Sequence, residues 1–130
     1  MKVAVMGYGT VGSGVVDVIE NHKQVIMKRT DGEALEVKRI LDLREFPGDS
    51  HEALFTKDFN DILNDGEIKV VAETMGGVNP AFDFTMKLLK SGKSVVSSNK
   101  ELVAQKGLEL LNTAKEYGVN YLFEASVGGG

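Results

Sequence analysis

At 130 residues, with 42% hydrophobic and 26% charged side chains, the chain has the size and composition of one soluble globular domain with a sizeable core. Its formal net charge of −4 excludes the clustered basic footprint of a nucleic-acid binder, and the absence of cysteine excludes a disulfide, a thiolate nucleophile or a zinc–thiolate site. No run approaches the ~18–20 apolar residues that a bilayer span requires, and the first residues read as a core strand rather than a cleavable leader; the expectation is a cytoplasmic protein with neither membrane nor nucleic acid among its partners.

The apolar run Val3, Ala4, Val5, Met6 predicts a strand over 2–6. A helix is predicted over 10–29, where Val11, Val15, Val18, Ile19, Val25 and Ile26 recur on a roughly 3.6-residue period. Thr30, Asp31 and Gly32 break it, and Val37 to Leu43 reads as the second strand. Residues 44–57 form a polar connection carrying Pro47 and Gly48, followed by a short helix over 58–64. Ile68 to Thr74 is the next strand, and Pro80 opens a helix that runs to Leu89, in keeping with the preference of proline for a first helical turn. Ser94 to Ser97 is a strand, Asn99 and Lys100 lead into a helix ending near Glu116, and Val119 to Glu124 is the last strand. Strands that alternate with helices of this length predict an α/β fold: a Rossmann-like, doubly wound, mostly parallel sheet with helices on both faces.

The first strand feeds directly into Gly7-x-Gly9-x-x-Gly12, and in that context the glycines carry a mechanism. Gly7 permits the tight turn, Gly9 lets a pyrophosphate approach the backbone, and Gly12 lets the helix pack close to the strand. Tyr8, Thr10 and Val11 lie inside this fingerprint, and the first N–H groups of the helix, at its positive dipole end, face the phosphates. Three further segments fall at predicted carboxyl ends of strands: Thr74-Met75-Gly76-Gly77, Ser97-Ser98-Asn99-Lys100 and Glu124 to Gly129. In a doubly wound sheet all four line one crevice. At the end of the second strand an acid reads a ribose 2′-hydroxyl and an arginine accommodates a 2′-phosphate; Asp42 and Arg44 offer both, on one face if the strand alternates through them, so NAD and NADP stay open. Lys100 stands against the dipole preference at a helix start, a misfit that suggests another job.

Together the segments Gly-Tyr-Gly-Thr-Val-Gly (7–12), Glu-Thr-Met-Gly-Gly-Val-Asn-Pro-Ala (73–81), Val-Val-Ser-Ser-Asn-Lys (95–100) and Phe-Glu-Ala-Ser-Val-Gly-Gly (123–129) resemble homoserine dehydrogenase, over essentially the whole chain. The resemblance implies reduction of L-aspartate 4-semialdehyde to L-homoserine with NADH or NADPH, on the route to threonine and methionine. It implies cofactor contacts from Gly7, Tyr8, Gly9, Thr10, Val11, Gly12, Asp42, Arg44, Thr74, Met75, Gly76, Ser98 and Lys100. Lys100 would lie beside nicotinamide and substrate with a catalytic role. Glu124, Val127 and Gly129 would hold a monovalent cation (Na or K) in the full-length enzyme. On this reading residues 1–130 are the NAD(P)-binding domain of a longer enzyme whose substrate domain lies downstream; the piece binds cofactor without turnover, and the parent is a homodimer where the piece is a monomer.

Other features carry blander expectations. His22 and His51 read as surface residues, Met75 and Met86 as core or crevice packing, and Asp58, Asp61, Asp65 and Glu67 as a solvated face. Two competing readings remain: another amino-acid-pathway dehydrogenase with a similar first domain, and a non-catalytic nucleotide-sensing or dimerising Rossmann module.

Overall fold

The computed structural model describes residues 1–21 and 35–123. Its centre is β1 (Lys2–Met6), which pairs in parallel with β2 (Glu36–Leu41) on one side and β4 (Ile68–Glu73) on the other. β3 (Phe55–Thr56) extends the sheet beside β2, while β5 (Ser94–Ser97) and β6 (Tyr121–Phe123) extend it beyond β4. The order among the described residues is 3-2-1-4-5-6, all parallel. After β3 the chain returns to the far side of β1, so the winding reverses between β1 and β4, where doubly wound sheets open a crevice.

Side-chain alternation along β1 builds two cores. Val3 and Val5 pack with Val37, Ile40 and the Val16 and Ile19 stripe of α1 (Thr10–Asn21). Ala4 and Met6 face the other way, into the larger core formed with α2 (Asn60–Leu63), α3 (Ala81–Lys90) and α4 (Lys100–Tyr117). Phe59, just before α2, stacks on Phe84 of α3 at 4.1 Å and closes that core toward the crevice. The cover is unequal. On the α1 face, Val70 and Ala72 of β4 and Val96 of β5 are only half-buried and border a cavity of about 240 Å³.

Local chemistry fixes the ends. Asn99 caps α4 by accepting from the Leu102 N–H at 3.0 Å, and Gly118 ends it in the left-handed region at φ 71°. At the amino ends of the strands, buried Lys93 donates from Nζ to the carbonyls of Asp65 and Ile68 at 2.6 and 2.9 Å, tying the entrance of β5 to that of β4; burial pushes its pKa down.

Several predicted boundaries move. β2 stops at Leu41, because Asp42 accepts the Arg44 N–H at 2.9 Å and folds the chain into an Asx turn; Asp42 and Arg44 are therefore not strand neighbours on one face. The polar connection holds a 3₁₀ turn, Glu52–Leu54, and the two-residue β3, too short to show any period. Pro80 caps α3 from outside rather than occupying its first turn, and the helix predicted over 58–64 contracts to Asn60–Leu63. β6 begins at Tyr121, since the Val119 N–H is taken by the carbonyl of Ala114 in the α4 cap. The helix predicted over 10–29 is described to Asn21; its continuation, with His22, lies outside the described residues. No helix among the described residues is long and apolar enough to cross a membrane.

Candidate functional site

Three carboxyl strand ends meet at the switch point. Gly7 leaves β1 at φ 94°, and its N–H donates to the Leu41 carbonyl at 2.8 Å, joining the ends of β1 and β2. The Thr74 hydroxyl lies 2.8 Å from the carbonyls of both Met6 and Gly7 and ties the end of β4 to the same turn. The glycines are not equivalent. A Cβ on Gly12 would stand 1.8 Å from the Gly7 carbonyl oxygen, so only a hydrogen fits between α1 and the β1 turn. A Cβ on Gly9 would meet nothing nearer than Arg44 Nη2 at 4.0 Å: that face of the backbone is open. The first bond of the α1 ladder runs from the Ser13 N–H to the Gly9 carbonyl, so the N–H groups of Thr10, Val11 and Gly12 precede the ladder at the helix's positive end. A bare, open backbone under an N-terminal helical turn fits a pyrophosphate.

Above this turn lies a cavity of about 480 Å³ bordered by Gly7, Gly9, Asp42, Arg44, Thr74, Met75 and Gly76 of the predicted set, with Lys57, Phe59, Pro80 and Phe84 among the remaining walls. Asp42 is its best-anchored acid. Oδ1 accepts from Arg44 N and Nε at 2.9 and 3.1 Å; Oδ2 accepts from Tyr8 N and Arg44 Nη2 at 2.9 and 2.8 Å. Burial raises the Asp42 carboxyl, but the Arg44 hydrogen bonds, the Tyr8 N–H and the Arg44 charge outweigh it and bring it down to about 2. All four acceptor positions of the carboxylate are filled. The Arg44 side chain, 64% exposed, lies over the Phe46 ring at 5.3 Å.

The other predicted residues stand apart from the cavity wall. Tyr8 turns its ring onto Phe46 and Phe55, with its hydroxyl donating to Asp49, and its N–H is spent on Asp42. Gly12 is the buried spacer just described. Thr10 is exposed and Val11 half-buried at the start of α1. Ser98 borders the smaller cavity on the α1 face, its N–H held by the Glu73 carbonyl at 3.0 Å. Lys100 is the exposed first residue of α4. Glu124, Val127 and Gly129, the implied cation ligands, lie outside the described residues. Among the described residues no cluster of three or more His, Cys, Asp or Glu is arranged to hold a metal.

Two bland expectations also change, and the packing expected of Met86 holds. His51 is half-buried against Asp49 rather than surface-borne, with its N–H donating to Asp49 Oδ1 at 2.8 Å. Asp65 is drawn in by Lys38 at 2.6 Å and leaves the solvated face on which Asp58, Asp61 and Glu67 remain. Met86 packs, half-buried, against the larger core.

Sequence reasoning passed over Glu73. It ends β4 fully buried, with Oε1 accepting from the Ser97 hydroxyl at 2.6 Å and Oε2 from Met75 N and Asn99 Nδ2 at 3.0 and 3.3 Å. Burial raises its carboxyl above the ordinary value, and these donors oppose that rise. Asn99 Nδ2 also donates to the Gly77 carbonyl at 2.6 Å. Glu73 and Asn99 thereby fasten the loops after β4 and β5 to each other beneath the crevice. The available signal was a lone acid closing the apolar run Val70–Ala72 of a central strand, where an unpartnered charge is costly.

The sequence profile of the NAD binding domain of homoserine dehydrogenase matches residues 7–124. The homoserine dehydrogenases of Bacillus subtilis and Pseudomonas aeruginosa are each 39% identical to this chain over all of it. In both cases the match takes in 30% of the relative, so the chain spans about a third of the length of these relatives. The crystal structure of the S. aureus homoserine dehydrogenase at pH 8.5 superposes with a TM-score of 0.86 and 38% identity, covering 97% of this chain and 32% of that one. The homoserine dehydrogenase of Thiobacillus denitrificans gives 0.86 at 35% identity, covering 97% and 30%.

Proposed function

The chain belongs to the homoserine dehydrogenase family, as an NAD-binding domain, and from that membership we propose that it forms the cofactor half of an enzyme that passes a hydride between NAD(P)H and L-aspartate 4-semialdehyde to give L-homoserine. The observation that carries the reading is the convergence of the β1, β2 and β4 ends on one crevice at the point where the winding reverses, with open Gly9 in its wall at the start of α1. The nicotinamide supplies the hydride. The chain's own residues bind and orient the dinucleotide: Gly9 and the first turn of α1 take the pyrophosphate, the Asp42–Arg44 pair meets the adenosine ribose, and the loops after β4 and β5 border the nicotinamide half. Lys100, at the head of α4, is a cation suited to steadying a substrate carboxylate or carbonyl oxygen during transfer. The substrate domain belongs to a longer enzyme on this reading.

The state of Asp42 favours NADPH. A carboxylate with four donors already in place has no lone pair left for a ribose 2′-hydroxyl, whereas the exposed Arg44 guanidinium, with Lys57 on the same cavity wall, suits a 2′-phosphate. Titration calorimetry of the chain with NADPH and NADH tests both levels. NADPH binds about tenfold more tightly, Arg44→Ala removes that margin, and Gly9→Val abolishes both titrations. Binding that survives Gly9→Val sinks the crevice assignment; a wild-type preference for NADH sinks the reading of Arg44.

A further inference from the structure

We propose that Glu73 sets the redox-state preference of the crevice, its buried carboxylate favouring the oxidised, cationic nicotinamide over the reduced, neutral one. The inference rests on the reading above, in which adenosine sits at the β2 end and the nicotinamide half therefore lies over the ends of β4 and β5.

Glu73 ends β4 with no exposed surface, directly below Thr74 and Met75 of the crevice wall. Its three donors are a hydroxyl, a backbone N–H and an amide, all neutral. Two of them can only donate, an arrangement that suits the ionised carboxylate. The carboxylate thus carries a negative charge without a lysine or arginine among its hydrogen-bond partners, in a medium where water and salt do little to screen it. Oxidised and reduced nicotinamides differ by one positive charge on the ring and by little in shape. A fixed negative charge beneath the ring acts on that difference, whereas packing and the shared adenosine half act on both forms alike. Among the described residues, Lys100 and Glu101 on the first turn of α4 follow Asn99 on this side; both are exposed, opposite in sign and screened by solvent. Tyr121 of β6, buried and with its ionisation pushed up by burial, stays neutral. Arg44 and Lys57 stand at the adenosine end.

The test is the ratio of dissociation constants for the oxidised and reduced forms of one dinucleotide, NADP⁺ and NADPH, measured on the same preparation of the chain. Glu73→Gln keeps the hydrogen bonds: its carbonyl can face Met75 N and Asn99 Nδ2 while its amide donates to Ser97 Oγ. Glu73→Met removes the charge and the polarity together, and serves if the glutamine chain does not fold, as judged by circular dichroism. In either neutral variant the ratio moves about fivefold toward the reduced form, and in Glu73→Asp it stays with the wild type. A ratio unchanged in a folded neutral variant, with both affinities shifted equally or not at all, overturns the role of Glu73 and leaves the dinucleotide reading standing. Failure of the wild-type chain to bind either form overturns that reading and this inference with it.

Discussion

One methyl group separates the roles of two fingerprint glycines. Gly12→Ala places a carbon 1.8 Å from the Gly7 carbonyl oxygen, between backbone atoms that cannot swing aside. Its expected cost is about 3 kcal/mol or more, read as a lower urea midpoint at unchanged slope. Gly9→Ala meets only the far end of Arg44, and its stability should stay within about 0.5 kcal/mol of the wild type while affinity for dinucleotide falls. The motif shows all three glycines alike; the geometry separates Gly12, which holds the fold, from Gly9, whose backbone lies open. Asp42 gives a second prediction at this scale. Its folded pKa, about 2, lies below the ordinary 3.8, so its ionised form stabilises the fold. That contribution is complete above about pH 4 and is lost as pH falls toward 2. Glu73 runs the other way: raised by burial, it sheds an unfavourable charge on acidification. Thermal melts of wild type and Asp42→Asn should therefore converge between about pH 4 and 2. A constant separation over that window would remove Asp42 as the source.

Among the elements, α4 depends on a residue that lies just outside it. Asn99 accepts from Leu102 N with its carbonyl and donates with its amide to both Gly77 O and Glu73, so one side chain serves helix, loop and strand. Asn99→Ala should cost about 2 kcal/mol, beyond a simple cap, because it leaves the Gly77 carbonyl and part of a buried carboxylate without a donor. Asn99→Asp keeps the cap and not the amide, and a stability equal to that of the wild type in this variant would show that only the cap matters. The β2 end shows why such details escape a sequence reading. Alternation suggests that Asp42 and Arg44 continue the strand, but a carboxylate that accepts from its own chain two residues on competes with the ladder and wins. β3 escapes for a different reason, since two residues cannot display a period of two.

For the whole molecule, most of the architecture was legible because it rests on long-range regularities. Apolar strands alternating with amphipathic helices specify one parallel sheet with helices on both faces, and the position of Gly7–Gly12 after the first strand specifies its ligand edge. The walls of the crevice were legible as segments: Gly7, Gly9, Asp42, Arg44, Thr74, Met75 and Gly76 do border one cavity. Its underside was not. Glu73, Ser97 and Asn99 come together only when β4 and β5 pair in register, Glu73 opposite Ser97, and no window along the chain contains that pairing. The unequal cover of the two sheet faces is equally invisible in one dimension, since Val70, Ala72 and Val96 read as core residues wherever they point.

The sheet also has an opposite rim, where Lys93 gathers the carbonyls of Asp65 and Ile68 and Lys38 pairs with Asp65 and Glu67. Gly66 sits in the midst of this girdle, exposed, with nothing within 4 Å of where a side chain would begin and without a left-handed backbone. The chain contains no cysteine. A thiol introduced at Gly66 is thus chemically unique and a full strand length from the crevice. The protein comes with a ready anchorage for a fluorophore, a spin label or a solid support, one that reports on or immobilises the molecule from behind while its ligand edge stays free in solution.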